Sequence, residues 1–440
     1  MDYRNKRILF TAFSVSPGSE ELSLYDYLKG QGANDISALY WGGDVIADQI
    51  PAGVTRISID SATSITPELI SDYDVVFRHP STSPDLLKGV NVTSLTQEFF
   101  DKCPAPIIGV TGTKGKGTTS TLIAKILEVS GKKVHLLGNI GKPSLDALPN
   151  ILADDIVVHE LSSFQLWDLK TSPHVAVILM IEPDHQDVHP GMEDYVSAKA
   201  NIANHQTAED FLFYNPVNEL SAKAAQGGSA VKQKYMTQEN AFVQDGKIFL
   251  RDQEIISVDE VGLLGKHNLE NICAALAASS KFVDDVSAMS QAIREFKGLD
   301  NRLEFVKELD GVKYFNDSFS SAPVATKAAI QAFGEPIILI LGGYDKQTDF
   351  TPLAGLIAEH KIKHVLLIGQ IKQHIAEALT SKGYSDFELI DGTMEEIVAR
   401  ARNIASQGDI VLLSPGAASF DMFKDFKDRG RQFRAAVEGL

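Results

Sequence analysis

The stretch IIGVTGTKGKGTTSTLIAKIL (107–127) holds the densest set of residues suited to a charged ligand. A short apolar run, Ile107–Val110, leads into a turn carrying Gly112, Gly115 and Gly117, and a helix-forming segment follows. Glycines spaced this way let successive backbone N–H groups converge on one anion, with the positive end of a helix behind them. Thr113, Lys114 and Thr119 belong to the same loop. Lys116 is placed to reach terminal phosphates, and the hydroxyl of Thr118 or Thr119 to reach a magnesium ion. The strict G-x-x-x-x-G-K-[ST] pattern is broken: Val110 holds the first glycine position and Gly117 stands where Ser or Thr belongs. The strand before the loop and the paired threonines after it still favour ATP over a bare glycine turn. No G-x-G-x-x-G lies in register, so hydride transfer with a dinucleotide is a weak alternative.

Acids and imidazoles follow at the ends of two further strand-like runs. HELSSFQL (159–166) puts Glu160 at the edge where parallel sheets bind ligands, within reach of magnesium; alone, it reads equally as a helix N-terminal carboxylate. In MIEPDHQDVHP the run ends in Asp184, His185, Asp187 and His189, a set that suits a divalent cation, magnesium before zinc. Lys199, on the next helical segment, reads by itself as a surface lysine. GKHNLENICAA places His267, Asn268 and Asn271 at a helix start, where Asn is also an ordinary cap.

The elements that must position these residues read as α/β with parallel sheets, since short β-branched runs alternate with helical patterns through most of the chain. Strands are expected at Ile8–Phe13, Ile36–Trp41, 72–80, Ile107–Val110, Asp155–His159, Val175–Ile181, Phe211–Tyr214, Val312–Asn316, Pro336–Leu341, His364–Gly369 and Asp409–Ser414. A more polar β-like patch covers 241–258. At roughly 150 residues per domain, 440 residues suggest about three domains. The prolines of CPAPIIGVTG and the GLDNR segment place them at 1–98, 99–300 and 301–440. A formal charge of −17 offers no basic surplus for a nucleic-acid backbone. Two cysteines exclude a disulfide framework. No signal core opens the chain and no apolar run is long enough for a bilayer, so a soluble cytoplasmic protein without membrane insertion is expected.

The segments TGTKGKGTT, ELSSFQL, EPDHQDVH with Lys199 downstream, GKHNLEN, NRLEFV, YFNDS, LGGYDKQTDF and LLSPGAASFDMFKDFKDRG stand in one order. In that order the chain resembles the Mur ligases, and among them the branch that adds D-glutamate. The likeness covers about 107–440 well and the first hundred residues only in coarse pattern. It implies an N-terminal Rossmann-like UDP-binding domain, a central P-loop ATPase-like domain and a C-terminal Rossmann-like domain that admits the amino acid. The implied reaction is ATP-driven amide formation through an acyl phosphate, joining D-glutamate to UDP-N-acetylmuramoyl-L-alanine in peptidoglycan synthesis, by a monomer.

By the same resemblance, Thr118 and Glu160 hold one magnesium ion, and His185 helps hold a second with Lys199 in carbamylated form. Asn139 and Ser162 lie at the acyl-phosphate and substrate side. Asn268, Asn271, Arg302 and Asp317 contact the nucleotide, and Ser419, Phe420 and Phe426 line the D-glutamate pocket. The chain departs from the pattern at Phe319, which stands where a lysine would meet the amino acid's carboxylate, and at Ser321 and Ala322. Lys346 or Lys327 is then the compensating cation. RHPSTSP (78–84) replaces an expected Ser-Pro-Gly turn, and the Gly-Lys-Gly of the loop is similar to that of folylpolyglutamate synthases. The alternatives are a ligase with another amino acid or acceptor, and a catalytically silent Mur-like binding protein.

Overall fold

Strands with apolar residues on both faces need cover on both sides, and Ile337–Gly342, Val175–Ile178 and Ile107–Thr111 are buried along their whole length. The computed structural model describes residues 2–13, 19–41, 50–140, 142–186, 188–263, 267–344 and 348–440, with the backbone alone at 267. Asp187, Gly265 and Lys346, and residues 14–18 of the first loop, lie outside the described residues.

The first sheet holds β1 (Arg7–Phe10), β2 (Asp35–Tyr40), β3 (Thr55–Ser58), β4 (Val75–Phe77) and β5 (Val92–Thr93), all parallel in the order β3-β2-β1-β4-β5. The second holds β6 (Ile107–Thr111), β7 (Val134–Gly138), β8 (Ile156–Glu160), β9 (Val175–Ile178), β10 (Phe211–Tyr214) and β11 (Val231–Lys234). It is also parallel, in the order β11-β10-β9-β6-β8-β7. The polar patch is a three-stranded antiparallel sheet, β12 (Ala241–Gln244), β13 (Lys247–Leu250) and β14 (Gln253–Ser257). The last sheet holds β15 (Glu304–Leu309), β16 (Val312–Asn316), β17 (Ile337–Gly342), β18 (Ile362–Ile368), β19 (Phe387–Leu389) and β20 (Ile410–Leu413). Its order is β15-β16-β20-β17-β18-β19. Here the parallel expectation needs a correction, because β15 runs antiparallel to β16. Asp310 and Gly311, at φ +51° and +73°, make the tight hairpin turn that the Asp-Gly pair favours.

The chain divides after Phe296 into two compact units. The expected boundary at 98 falls inside the helix Leu95–Lys102. One apolar cluster runs from Phe10, Phe77 and Phe99 to Val157 and Ala176, so the first two sheets share a core. Polar ties reinforce it. Arg78, with a side chain fully shielded from solvent, grips both carboxylate oxygens of Asp168 at 2.8 and 2.6 Å and the carbonyl of Phe164 at 2.7 Å. That is what the unexpected RHPSTSP loop does structurally. Tyr3 Oη donates to Glu98 at 2.7 Å. No helix among the described residues is long and apolar enough to cross a membrane.

Candidate active site

β6 ends at Thr111, and the backbone then turns through Gly112 at φ +151° and Gly115 at φ +83° into the helix Lys116–Val129. A Cβ on Gly115 would fall 2.2 Å from Asn271 Oδ1, so packing as well as backbone angle demands glycine there. Thr113 is a clamp: its N–H donates to Met180 O at 2.9 Å, and its hydroxyl lies 3.1 Å from Glu182 O and from Tyr195 Oη. Of the two threonines, Thr119 is fully buried, with Oγ1 3.4 Å from Asn271 Oδ1. Thr118 is half-buried. Lys116 Nζ donates to Gly112 O at 3.1 Å and Thr113 O at 3.0 Å, at the mouth of the loop. Lys114 is exposed and pairs with Glu182 at 3.3 Å. Asn271 Nδ2 donates to Asn268 Oδ1 at 2.9 Å, which fixes the start of the helix His267–Ser279 beside the glycine loop.

Sheet register sets the acid next to this loop. Glu160 pairs with Val110 on one side and Gly138 on the other, as Cα partners about 5 Å apart across neighbouring strands. Its side chain is buried. Asn139 N–H donates to Glu160 O at 3.2 Å, so the ends of β7 and β8 stay together. Ser162 caps the short helix Ser163–Leu166 in a capping box with Gln165, its hydroxyl donating to Gln165 Oε1 at 3.1 Å. Its hydroxyl thus has a structural partner beside the expected substrate role.

Lys199 corrects the surface-lysine reading of its isolated context. It is 1% exposed, donates to Gly112 O at 2.9 Å, and lies over the Tyr195 ring, 4.5 Å from its centroid. Burial, with the Lys116 charge nearby, holds its ammonium well below the usual lysine range. The histidine cluster separates into two roles. His189 is buried, with Nδ1 2.6 Å from Asp194 and Nε2 3.0 Å from Ser163 Oγ, so it is structural rather than a ligand. His185 is exposed in the left-handed region, at φ +50°, with its ring 4.9 Å from that of Phe164. Among the described residues no group of three His, Cys, Asp or Glu gathers for a metal.

A cavity of about 350 Å³ brings Lys116, Asn139, Ser162, His185 and Lys199 together, with Tyr195 in its wall. Thr118 and Glu160 are not in its lining; they flank it through the loop and the strand end. Sequence reasoning missed Glu20, which lines the same cavity and accepts from Gln165 Nε2 at 3.3 Å. Burial, with Glu21 beside it, pushes its carboxyl up to about 7. Tyr195 was also missed, although four residues before Lys199 on one helix is the spacing that puts two side chains on one face.

In the second unit, Asp317 is buried at the end of β16. It accepts from Leu303 N–H at 3.1 Å and Ser414 Oγ at 2.7 Å, and burial raises it to about 6. Ser419 is buried, Phe420 is 65% exposed and Phe426 opens the helix Phe426–Glu438. Ser321 and Lys327 are exposed, and Ala322 caps the helix Pro323–Gln331. Arg429, missed in the sequence, is fully buried and organises this end of the sheet. It donates to Ser318 Oγ at 3.0 Å, Ser318 O at 2.8 Å and Ala417 O at 3.1 Å.

The glycine loop at the C-terminal end of a parallel strand, with a cavity lined by Lys116 and Lys199 beside it, is the equipment of a phosphate-handling α/β protein. Residues 110–279 match the Mur ligase middle domain, and residues 301–416 match the glutamate ligase domain of Mur ligases. The chain is 40% identical over 386 residues to the UDP-N-acetylmuramoylalanine--D-glutamate ligase of Clostridium tetani, covering 84% of each chain. It is 37% identical over 447 residues to the enzyme of that name from Symbiobacterium thermophilum, covering 97% of each. In fold it is similar to a UDP-N-acetylmuramoylalanyl-D-glutamyl-2,6-diaminopimelate--D-alanyl-D-alanyl ligase from Acinetobacter baumannii. That match has a TM-score of 0.58 at 16% identity, over 98% of this chain and 93% of that one. The chain belongs to the Mur ligase family.

Proposed function

We propose that the protein is an ATP-dependent ligase that joins D-glutamate to UDP-N-acetylmuramoyl-L-alanine, a step of peptidoglycan precursor synthesis in the cytoplasm. The single observation that carries this reading is the convergence of Lys116, Asn139, His185 and Lys199 on one cavity beside the glycine loop. Two anions, the alanyl carboxylate and the triphosphate, must meet there, and the Lys116 ammonium offsets part of their repulsion. Residues 1–98 serve the nucleotide-sugar, 99–300 the ATP and 301–440 the amino acid.

A carboxylate oxygen attacks the γ-phosphorus, the bond to the ADP oxygen breaks, and an acyl phosphate remains. The amine of D-glutamate then adds to the acyl carbon. The tetrahedral intermediate loses phosphate, and the amine gives up its proton to leave the amide. Lys116 faces the phosphates throughout. Asn139, just past the C-terminal end of β7 and hydrogen-bonded to Glu160 O, orients the acyl group. Arg302, Asp317, Asn268 and Asn271 contact the nucleotide, and Ser419, Phe420 and Phe426 receive D-glutamate.

The hydroxyl and carboxylate oxygens present suit magnesium: Thr118 and Glu160 would hold one ion, and His185 with a carbamylated Lys199 would help hold a second. When bound, it neutralises charge on the triphosphate. The depressed ammonium of Lys199 supports the modification, because the neutral amine is the form that adds to carbon dioxide. The new C–N bond forms as one C=O electron pair moves to oxygen and a proton leaves nitrogen.

The test is phosphate release with each component omitted in turn. Release should require the nucleotide-sugar, D-glutamate and Mg-ATP together, and release indifferent to the amino acid contradicts the reading. Phe319, 43% exposed in place of a cation, motivates a second reading, a ligase for another amino acid. A panel of amino acids with the acceptor fixed separates the two.

A further inference from the structure

Arg302 stands at the tip of a turn that holds unfavourable backbone angles. Its neighbours on both sides, Asn301 at φ +63° and Leu303 at φ +44°, lie in the left-handed region. Asn tolerates that region and Leu rarely enters it. Such angles persist where the surroundings over-determine them, and here they do. Leu303 N–H donates to Asp317 Oδ1 at 3.1 Å, Phe319 N–H to Asn301 O at 2.9 Å, Asn316 Nδ2 to Asn301 Oδ1 at 3.0 Å, and Asn301 N–H to Glu304 Oε2 at 2.9 Å. The Arg302 guanidinium then lies over the Phe319 ring, 3.8 Å from its centroid. Phe426 meets the same ring edge-on at 5.2 Å. A guanidinium that rests on an aromatic face uses its flat side there, and its N–H groups, which lie in the guanidinium plane, have the geometry that matches the paired oxygens of a phosphoryl group or carboxylate.

We propose that Phe319 is a positioning residue: with the turn Asn301–Leu303 it presents Arg302 as the receptor for one oxyanion, the phosphoryl group of ATP or the carboxylate of D-glutamate. The proposal deepens the ligase reading and rests on it for the identity of the two ligands. It also gives Phe319 a use that a lysine could not serve, since an ammonium offers no ring face to the guanidinium.

The experiment compares wild type, Phe319→Leu, Phe319→Tyr, Arg302→Ala and the double variant Arg302→Ala/Phe319→Leu. KM is measured for ATP and D-glutamate separately, and binding of each by calorimetry. Phe319→Leu keeps most of the volume and loses the ring face. It should raise KM for one of the two ligands by about two- to fivefold, the size of a cation–π contact at a partly exposed site, with kcat changed less. Phe319→Tyr should restore it, and Phe319→Leu should add nothing once Arg302 is gone. A rise confined to ATP assigns the phosphoryl group, and one confined to D-glutamate assigns the carboxylate. No rise, an equal rise for both ligands, or a full effect in the Arg302→Ala background overturns the proposal. Calorimetry needs no turnover, so a wild-type protein that binds these ligands without ligating them would sink the ligase reading and leave this comparison standing.

Discussion

A lysine ammonium and a magnesium ion repel each other, so Lys199 can serve a metal only after it loses its positive charge. Its burial against Gly112 and the Tyr195 ring does the first part of that work by favouring the neutral amine. Stripping bicarbonate from the assay should lower wild-type turnover and adding it back should restore it. Lys199→Ala should be inactive at any bicarbonate level and partly rescued by small carboxylates; an active Lys199→Ala removes the carbamate from the account. Glu20 gives a pH dependence. Its carboxyl is raised from 4.5 to about 7, so it is largely neutral at pH 6 and ionised at pH 8. A charge appearing there opposes an anionic acceptor in the same cavity, so KM for the nucleotide-sugar should rise as pH rises from 6 to 8. Glu20→Gln should flatten that slope, and a slope unchanged in the variant assigns it to another group. The resemblance implied the carbamate on Lys199, but neither the burial that favours it nor the place of Glu20 was legible in the sequence. Burial of a lysine or a glutamate depends on partners far away in the chain, whereas Lys116 was recognisable because its loop carries its own explanation in glycine spacing.

At the scale of elements, a buried arginine reinforces the apolar core that the first and second sheets share. Arg78 leaves β4 and grips Asp168 beyond the short helix after β8, with no solvent contact of its own side chain. Removing one partner of a buried pair leaves an uncompensated charge, so Arg78→Ala should destabilise the first unit by on the order of 3–5 kcal/mol. Arg78→Lys should recover only part of that, because an ammonium cannot make the two-pronged contact. Denaturant melts measure both, and a loss under about 1 kcal/mol would leave the tie energetically idle. Buried strands such as Val175–Ile178 were legible from continuous apolar runs, which only two-sided cover explains. Edge strands were not. Neither Glu304–Leu309 nor Thr55–Ser58 has a buried residue, Thr55–Ser58 carries a single apolar one, and their pairing depends on neighbours rather than on their own pattern. One local signal was there to be read: Asp310-Gly311, the turn of the β15–β16 hairpin.

For the whole molecule, the glycine loop, the acid at the end of β8 and the lysine under the loop lie within one compact unit, around a cavity that no single element could build. That convergence is why separate motifs, each ambiguous alone, amount to one reaction. In the second unit, LLSPGAASFDMFKDFKDRG was legible as a segment, and its packing was not. What organises it is the buried Arg429, whose three contacts reach back to Ser318 and Ala417. The central claim is that the acceptor's carboxylate takes a phosphoryl group before the amine arrives. The direct measurement is a turnover with both oxygens of that carboxylate labelled as ¹⁸O, followed by mass analysis of the released phosphate. Transfer through an acyl phosphate predicts one labelled oxygen in each phosphate and the other retained in the amide. Unlabelled phosphate, released while amide forms, would contradict the account.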